Sequence, residues 1–307
     1  MYNSLDFCNL CMQVGSLPTG GGGGTMLLDC GESTWETMCT MLGKDRAQTF
    51  VNSLVVVWVS HKHADHCLGL PAILVARTPQ RPTLVLALPA SVWDWISQGY
   101  PHLLDRVKYV HCSRFSTHGN TGGAAGARST GAGRDVMAAA GFTAWQCVRV
   151  RHCPDAYGIV LEHSQGWKVV VSGDTEPCEQ LVAAGMNATL LVHEATFSCE
   201  LASDAAAKRH STVGQALEAA QRMGAWRVIL THFSQRYSKF APNLQHLPFA
   251  GAAQAFAVFD GARVRFTDLW VLPAISRAME MVVTEEAEEE AEEEAEQATQ
   301  AVAQKTN

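Results

Sequence analysis

"SHKHADHCLGL", residues 60–70, follows directly on the apolar run "LVVVWV" at 54–59 and sets His61, His63, Asp65 and His66 within six positions. An apolar run of that length, bounded by polar residues, has the size of a buried strand. Alternate residues of an extended stretch point the same way. His61 and His63 are therefore placed to offer two imidazoles to one metal ion, while Asp65 and His66, at the turn beyond, face a neighbouring site. A single histidine in such a place is more often a hydrogen-bonded core residue than a ligand. Four such groups crowded together without a metal or charge partner would be costly, which weighs against the purely structural reading here.

Further strand-like runs appear at "TMLLDC" (25–30), "TLVLAL" (83–88), "GWKVVVSG" (166–173), "ATLLVHEA" (188–195) and "WRVILTHF" (226–233). Helix-like segments lie between them. The clearest is 212–223, where Val213, Ala216, Leu217 and Ala220 recur at helical spacing. The chain reads as α/β. His61, Asp174, Glu194 and His232 each fall at the end of a strand-like run, where α/β proteins place reactive groups. Each zinc ion takes about four ligands including water, so the first motif needs partners. His152 in "VRHCPDAYG", Asp174 in "SGDT" and His232 in "ILTHFSQRY" are the candidates, although each alone reads as a core histidine or a common turn.

The 307 residues, 47% of them hydrophobic, suffice for a full core in one large domain or two small ones. No apolar stretch approaches the roughly 20 residues that span a bilayer, so no membrane partner is expected. The ten cysteines lack a repeating framework and the N-terminus lacks the regions of a secretory signal, which predicts reduced thiols in an intracellular compartment. Cys8 and Cys11 form a C-x-x-C without a second pair, so free thiols are expected there. The net charge of −7 comes from the tail: residues 285–296 hold nine glutamates, and without 285–307 the body has 22 basic against 21 acidic side chains, a net of +1. That near-neutral body admits nucleic acid but lacks the basic footprint of a dedicated binder.

Two segments read as additions to the fold. "STHGNTGGAAGARSTGAGR", 116–134, is Gly/Ala/Ser/Thr-rich and aperiodic, which predicts a flexible surface loop. The expected division is a catalytic domain over 1–280 and an acidic Glu/Ala tail over 281–307, disordered or a solvated helix.

"HKHADH", "SGDT", "HEATF" and "THFSQRY", in this order and spacing, resemble the metallo-β-lactamase superfamily. Within it they resemble ribonuclease Z, the tRNA 3′-processing endonuclease, and in particular the carboxy-terminal half of its long form. The resemblance runs from about 27–34 to about 267–270. It implies a four-layer αββα sandwich with the site along one edge. It implies two zinc ions, with Mn2+ as a substitute: one held by His61, His63 and His152, the other by Asp65, His66 and His232, with Asp174 bridging. Paired zinc ions activate water and neutralise charge on a phosphate. The implied reaction removes the 3′ trailer of precursor tRNA, leaving a 3′-hydroxyl on the tRNA and a 5′-phosphate on the trailer. Glu194 and His210 match the pair that orients and donates the proton to the departing oxygen, and Asp65 would help orient the nucleophile. Read alone, Glu194 is equally a structural strand-end acid, and His210 is an exposed residue or part of a helix start.

Arg236 in "SQRY" is the candidate phosphate contact, an arginine fork being suited to that task. Arg149, Arg151, Lys208 and Arg209 flank the motifs as candidates for an RNA path, while His193, Tyr157 and Cys67 read as packing residues or as supports behind the ligands. Asp155 stands where long-form relatives commonly have a histidine. The long form's amino-terminal half and its tRNA-gripping arm have no counterpart in these residues. The expected partners are therefore precursor tRNA and either a second copy or a separate amino-terminal half, in the nucleus or mitochondrion. Two rival functions use the same core: a thioesterase or lactonase, and a non-catalytic partner subunit. "HEATF", "HST" and "SQRY" count against the first, and retention of all seven ligand residues against the second.

Overall fold

The computed structural model describes residues 4–7, 11–13, 24–78, 83–117, 131–234, 255–258 and 262–275. The acidic tail, Arg236, Cys8 and most of the Gly/Ala-rich segment lie outside these.

Uninterrupted apolar runs become parallel strands buried on both faces. In the first sheet, β3 (Thr25–Leu28), β4 (Leu54–Trp58), β5 (Leu84–Leu88) and β6 (Val107–His111) pair in parallel and in chain order. Two short strands upstream, β1 (Ser4–Phe7) and β2 (Cys11–Gln13), extend it antiparallel. β1 in turn pairs with β13 (Ala262–Arg265) from the far end of the chain. The second sheet runs β12 (Ala255–Ala257), β11 (Arg227–Thr231), β10 (Leu190–Glu194), β9 (Lys168–Val171), β8 (Tyr157–His163), β7 (Phe142–Arg149). Its first four strands are parallel, and β7 and β8 are antiparallel additions.

Alternation along the strands assigns the faces. Met26, Leu28, Val56, Trp58, Val85 and Ala87 of the first sheet meet Ile159, Val169, Val171, Leu190, Val192 and Ile229 of the second in one central core. Their neighbours Leu27, Val57, Leu84, Leu86 and Leu88 point outward against helices α1 (Thr34–Leu42), α2 (Lys44–Ser53), α4 (Leu70–Ala76) and α5 (Ala90–Gly99). On the opposite side Val170, Leu191, Val228 and Leu230 pack on α7 (Glu179–Ala184) and α9 (Val213–Met223). The four layers are helices, sheet, sheet, helices, as the resemblance implied.

One expectation is corrected. The segment 116–134 is not loop throughout: Ser116 bridges to Gln146, and α6 (Gly131–Ala139) begins inside it. The helix is anchored beyond the segment, where Met137 and Ala140 are buried in the central core, so the apolar face that orders it lies outside the composition of 116–134. No helix among the described residues is long and apolar enough to cross a membrane.

Candidate metal centre

The parallel strands of both sheets end at the same edge of the sandwich. Asp29 follows β3, His61 follows β4, Asp174 follows β9, Glu194 closes β10 and His232 follows β11. His63 enters the short helix α3 (Ala64–Cys67) in extended conformation, which turns Asp65 and His66 toward the same edge. Helix α3 is pinned by the loop after β3: Cys30 N–H donates to His66 O (2.8 Å), Glu32 N–H to Ala64 O (3.3 Å) and Gly69 N–H to Cys30 O (2.9 Å). Any Cβ on Gly69 would strike the Gly31 carbonyl, so only glycine permits this approach.

All seven residues expected to hold metal converge. His61 Nε2 lies 2.9 Å from His63 Nδ1, and His152 Nε2 lies 3.1 Å from the same atom. Asp174 Oδ2 sits between the two groups. It is 3.7 Å from His61 Nε2 and 3.8 Å from His152 Nε2 on one side, and 3.3 Å from His66 Nε2 and 3.5 Å from His232 Nε2 on the other. Asp65 Oδ2 completes the second group, 3.5 Å from His66 Nε2 and 3.4 Å from His232 Nε2. His61, His66, His152 and Asp174 are buried, whereas His63 and Asp65 reach solvent.

The surrounding bonds set which ring nitrogen of each histidine is free. His152 Nδ1 lies 2.8 Å from the Arg209 carbonyl, which can only accept, so Nδ1 carries the proton and Nε2 the lone pair. His66 Nδ1 lies 2.8 Å from Asp29 Oδ2, so in the neutral ring Nδ1 again keeps the proton and the lone pair falls to the buried Nε2, which has no hydrogen-bond partner. Ser60 gives its hydroxyl proton to Asp29 Oδ2 (2.8 Å), which leaves its oxygen to accept from His61 Nδ1 (2.9 Å). When all three rings are neutral, as a bound metal requires, their lone pairs face inward toward carboxyl oxygens. One proton on His63 Nδ1 could satisfy only one of its two neighbours, whereas a cation satisfies them all. Imidazole and carboxyl donors of this kind suit zinc.

Charge at the site is distributed accordingly. Burial pushes the His61 imidazole down to about 2, with neighbouring His66 adding to the effect. Burial also opposes protonation of His66, but Asp174 and Asp29 outweigh it and hold its pKa well above the ordinary value. For His232 burial is again overcome, here by Asp174 and the bond to Asp65, and the value is raised to about 8. Asp174 is raised by burial and lowered more by His66 and His232, ending well below the carboxylate range. In the metal-free protein, protons on His66 and His232 occupy the place of cationic charge.

Next to this cluster, His210 Nδ1 lies 2.9 Å from Glu194 Oε1 and 3.9 Å from Asp174 Oδ2. Glu194 is fixed by backbone N–H groups of Thr175 (2.6 Å) and Ser211 (3.1 Å). His210 lies two residues before the capping box of α9, in which Thr212 and Gln215 bond each other's backbone. The expected pair is therefore assembled.

The flanking cations are mostly engaged within the fold. Arg149 pairs with Asp155 (3.2 Å) and Arg151 with Glu176 (2.8 Å), Arg209 donates to the His152 carbonyl (2.8 Å), and the Lys208 ammonium lies 5.5 Å from the centre of the Phe197 ring. Asp155 has a structural place of its own. It accepts from Tyr157 Oη (2.9 Å) and from Ala90 N–H (2.7 Å), capping α5 where Pro89 has no side-chain oxygen to offer. His193 and Cys67 are buried, as expected of packing residues.

Three residues of the centre escaped the sequence reading. Asp29 was legible by the strand-end rule but reads as the tail of the strand "TMLLDC". Thr196 sits within "HEATF" and contacts Glu194 and His232. Cys153 follows His152, and its sulfur lies within 4.8 Å of ring nitrogens of His61, His63 and His152. Asp29, Arg209 and His232 all hold left-handed backbone (φ 63°, 58° and 61°), a strain of the kind that clusters at functional sites.

Two helix-flanked sheets gathering histidines and acids at their shared edge define an αββα domain with a candidate metal-binding edge. Residues 25–233 match the family described as the beta-lactamase superfamily domain, and the chain belongs to that superfamily. It is 35% identical over 278 residues to zinc phosphodiesterase ELAC protein 2 of Homo sapiens, covering 86% of this chain and 32% of the relative. Against the mitochondrial ribonuclease Z of Drosophila melanogaster it is 35% identical over 276 residues, covering 86% and 34%. The chain thus spans about a third of the length of the curated relatives it matches. A long form RNase Z from yeast superposes with a TM-score of 0.71 at 23% identity, covering 90% of this chain and 44% of that one, which establishes the likeness of fold.

Proposed function

We propose that this chain is a zinc-dependent endoribonuclease that removes the 3′ trailer from precursor tRNA. The observation that carries the reading is the Glu194–His210 pair, 2.9 Å apart, set beside the converging imidazoles. A metal cluster alone would serve many hydrolases; an acid-held imidazole next to it suits a reaction whose leaving oxygen needs a proton. The names of the human and fly relatives, a zinc phosphodiesterase and a ribonuclease Z, agree with it.

His61, His63 and His152 would hold one zinc, Asp65, His66 and His232 a second, and Asp174 would serve both. When bound, zinc lowers the pKa of water and neutralises phosphate charge. Asp65, exposed at the mouth of the cluster, orients the attacking water. That water adds its oxygen to phosphorus and becomes part of the trailer's 5′-phosphate, while the bond from phosphorus to the tRNA 3′-oxygen breaks. His210 acts in its doubly protonated form: Glu194 accepts from Nδ1–H, Nε2–H is the proton given to the departing oxygen, and a proton lost by the attacking water restores the ring. Arg236, beyond the described residues, is assigned the phosphate contact on the motif "SQRY" alone.

Precursor tRNA is accordingly the partner we assign, with a second copy or a separate amino-terminal half supplying further grip. The mitochondrion is favoured by the name of the fly relative, and the nucleus by the family resemblance alone. The test is incubation of the zinc-loaded chain with a labelled 3′-extended precursor tRNA, with and without chelator, beside a small thioester. Chelator-sensitive release of the trailer is expected. Thioester hydrolysis without RNA cleavage would overturn the reading.

A further inference from the structure

Thr196 Oγ1 lies 2.6 Å from Glu194 Oε2, 2.8 Å from His232 Nδ1 and 3.4 Å from His210 Nδ1. A hydroxyl has one proton to give, and here Glu194 receives it. The contact with His232 must then run the other way, with the ring's Nδ1–H donating into the threonine oxygen. In the neutral ring, the form that binds a metal, His232 Nε2 is then left with the lone pair, on the side that faces Asp65 Oδ2 at 3.4 Å and Asp174 Oδ2 at 3.5 Å.

We propose that Thr196 is a positioning residue that fixes the His232 tautomer and couples this metal ligand to the proton-donating pair through their shared anchor, Glu194. The inference rests on the reading of His232 as a zinc ligand. Its logic is the one already visible on the other side of the centre, where Ser60 gives its proton to Asp29 and accepts from His61. The two relays differ in where they end. Asp29 also receives His66, so that relay joins two imidazoles of the cluster. Glu194 also receives His210, so the Thr196 relay joins the cluster to the group that handles the leaving oxygen. Threonine suits the position because it is buried and its branched β-carbon restricts χ1, which holds the hydroxyl between its two partners.

The test compares wild type with Thr196→Val, which keeps the shape and removes the hydroxyl, with Thr196→Ser, and with His232→Ala. Zinc affinity and stoichiometry are read by chelator competition, and the His232 tautomer by ¹⁵N spectroscopy of the zinc-loaded wild type. Valine is expected to weaken one zinc by about 10–100-fold, the usual effect of removing a group that orients a ligand, and to leave the other in place. Serine should restore most of that affinity, and the wild-type spectrum should show His232 protonated at Nδ1. Wild-type affinity in the valine variant, or a proton on Nε2 in the wild-type spectrum, would overturn the proposal without touching the ribonuclease reading. Unchanged zinc binding in His232→Ala would instead remove His232 as a ligand, and the proposal with it. The spectrum needs no variant, so a misfolded valine protein would still leave a decisive result.

Discussion

A neutral imidazole has one proton for two nitrogens, and a metal can use only the nitrogen without it. At this centre the choice is made outside the cluster, by the Arg209 carbonyl for His152, by Asp29 for His66 and by Ser60 for His61. His210 is also held at Nδ1 by Glu194 but is assigned a different use, since it works with a second proton on Nε2, the one it gives to the departing oxygen. The two uses are separable by mutation. His210→Ala should leave zinc content and the folded structure unchanged while slowing cleavage by roughly 10²–10⁴-fold, the range for loss of a positioned acid or base. Metal analysis and single-turnover cleavage check this together; full activity in a zinc-loaded variant would take His210 out of the reaction. Asp29→Ala should do the reverse, weakening zinc by about 10–100-fold before any effect on the chemistry, as titration against a competing chelator would reveal.

At the scale of elements, the site consists of strand ends held in register by their neighbours. These ends were legible because parallel strands buried on both faces read as continuous apolar runs, so the polar residue that stops each run stands out. β7 was not legible: its burial alternates irregularly along "FTAWQCVR", and it lies at an edge of its sheet. The start of α9 was legible from the helical spacing that begins at Val213, and the structure adds a capping box between Thr212 and Gln215, two residues beyond His210. Thr212→Ala should cost about 1 kcal/mol of stability in chemical denaturation. Because the lost cap lies two residues from His210, cleavage should fall more than zinc affinity. The pinning of α3 is a second element-scale device. Gly69→Ala drives a methyl into the Gly31 carbonyl and must displace the loop that carries Asp29. A loss of roughly 1–3 kcal/mol is expected, accompanied by weaker zinc binding; a variant as stable as wild type would show that the loop moves aside freely.

Across the whole molecule, the pairing of β1 with β13 joins the two ends of the described chain, and no local pattern in "SLDF" or "ARVR" reports it. Convergence of the seven candidate ligand residues is likewise a property of the closed sandwich. His61 and His232 lie on different sheets, so the centre exists only when both have folded against the common core. Zinc binding and folding are therefore linked, and the linkage has a sign in pH. His232 titrates at about 8 in the metal-free protein against an ordinary 6.5, and His66 also lies above its ordinary value. Without metal, the contribution of His232 protonation to stability is fully present below 6.5 and is lost as pH rises through about 8. Zinc requires both rings neutral, so its uptake near neutral pH must expel these protons, and its affinity should climb as pH rises toward 8. The metal-free and zinc-loaded proteins should consequently diverge. Saturation at about 1,000 times the dissociation constant stabilises the fold by about 4 kcal/mol per ion, and the difference in Tm between the two forms, at fixed free zinc, should widen from pH 6.5 to 8. Calorimetry in buffers of different ionisation enthalpy should record proton release on zinc binding that diminishes over the same interval. A Tm difference that is flat or narrows with rising pH would show that His66 and His232 carry no protons for the metal to displace.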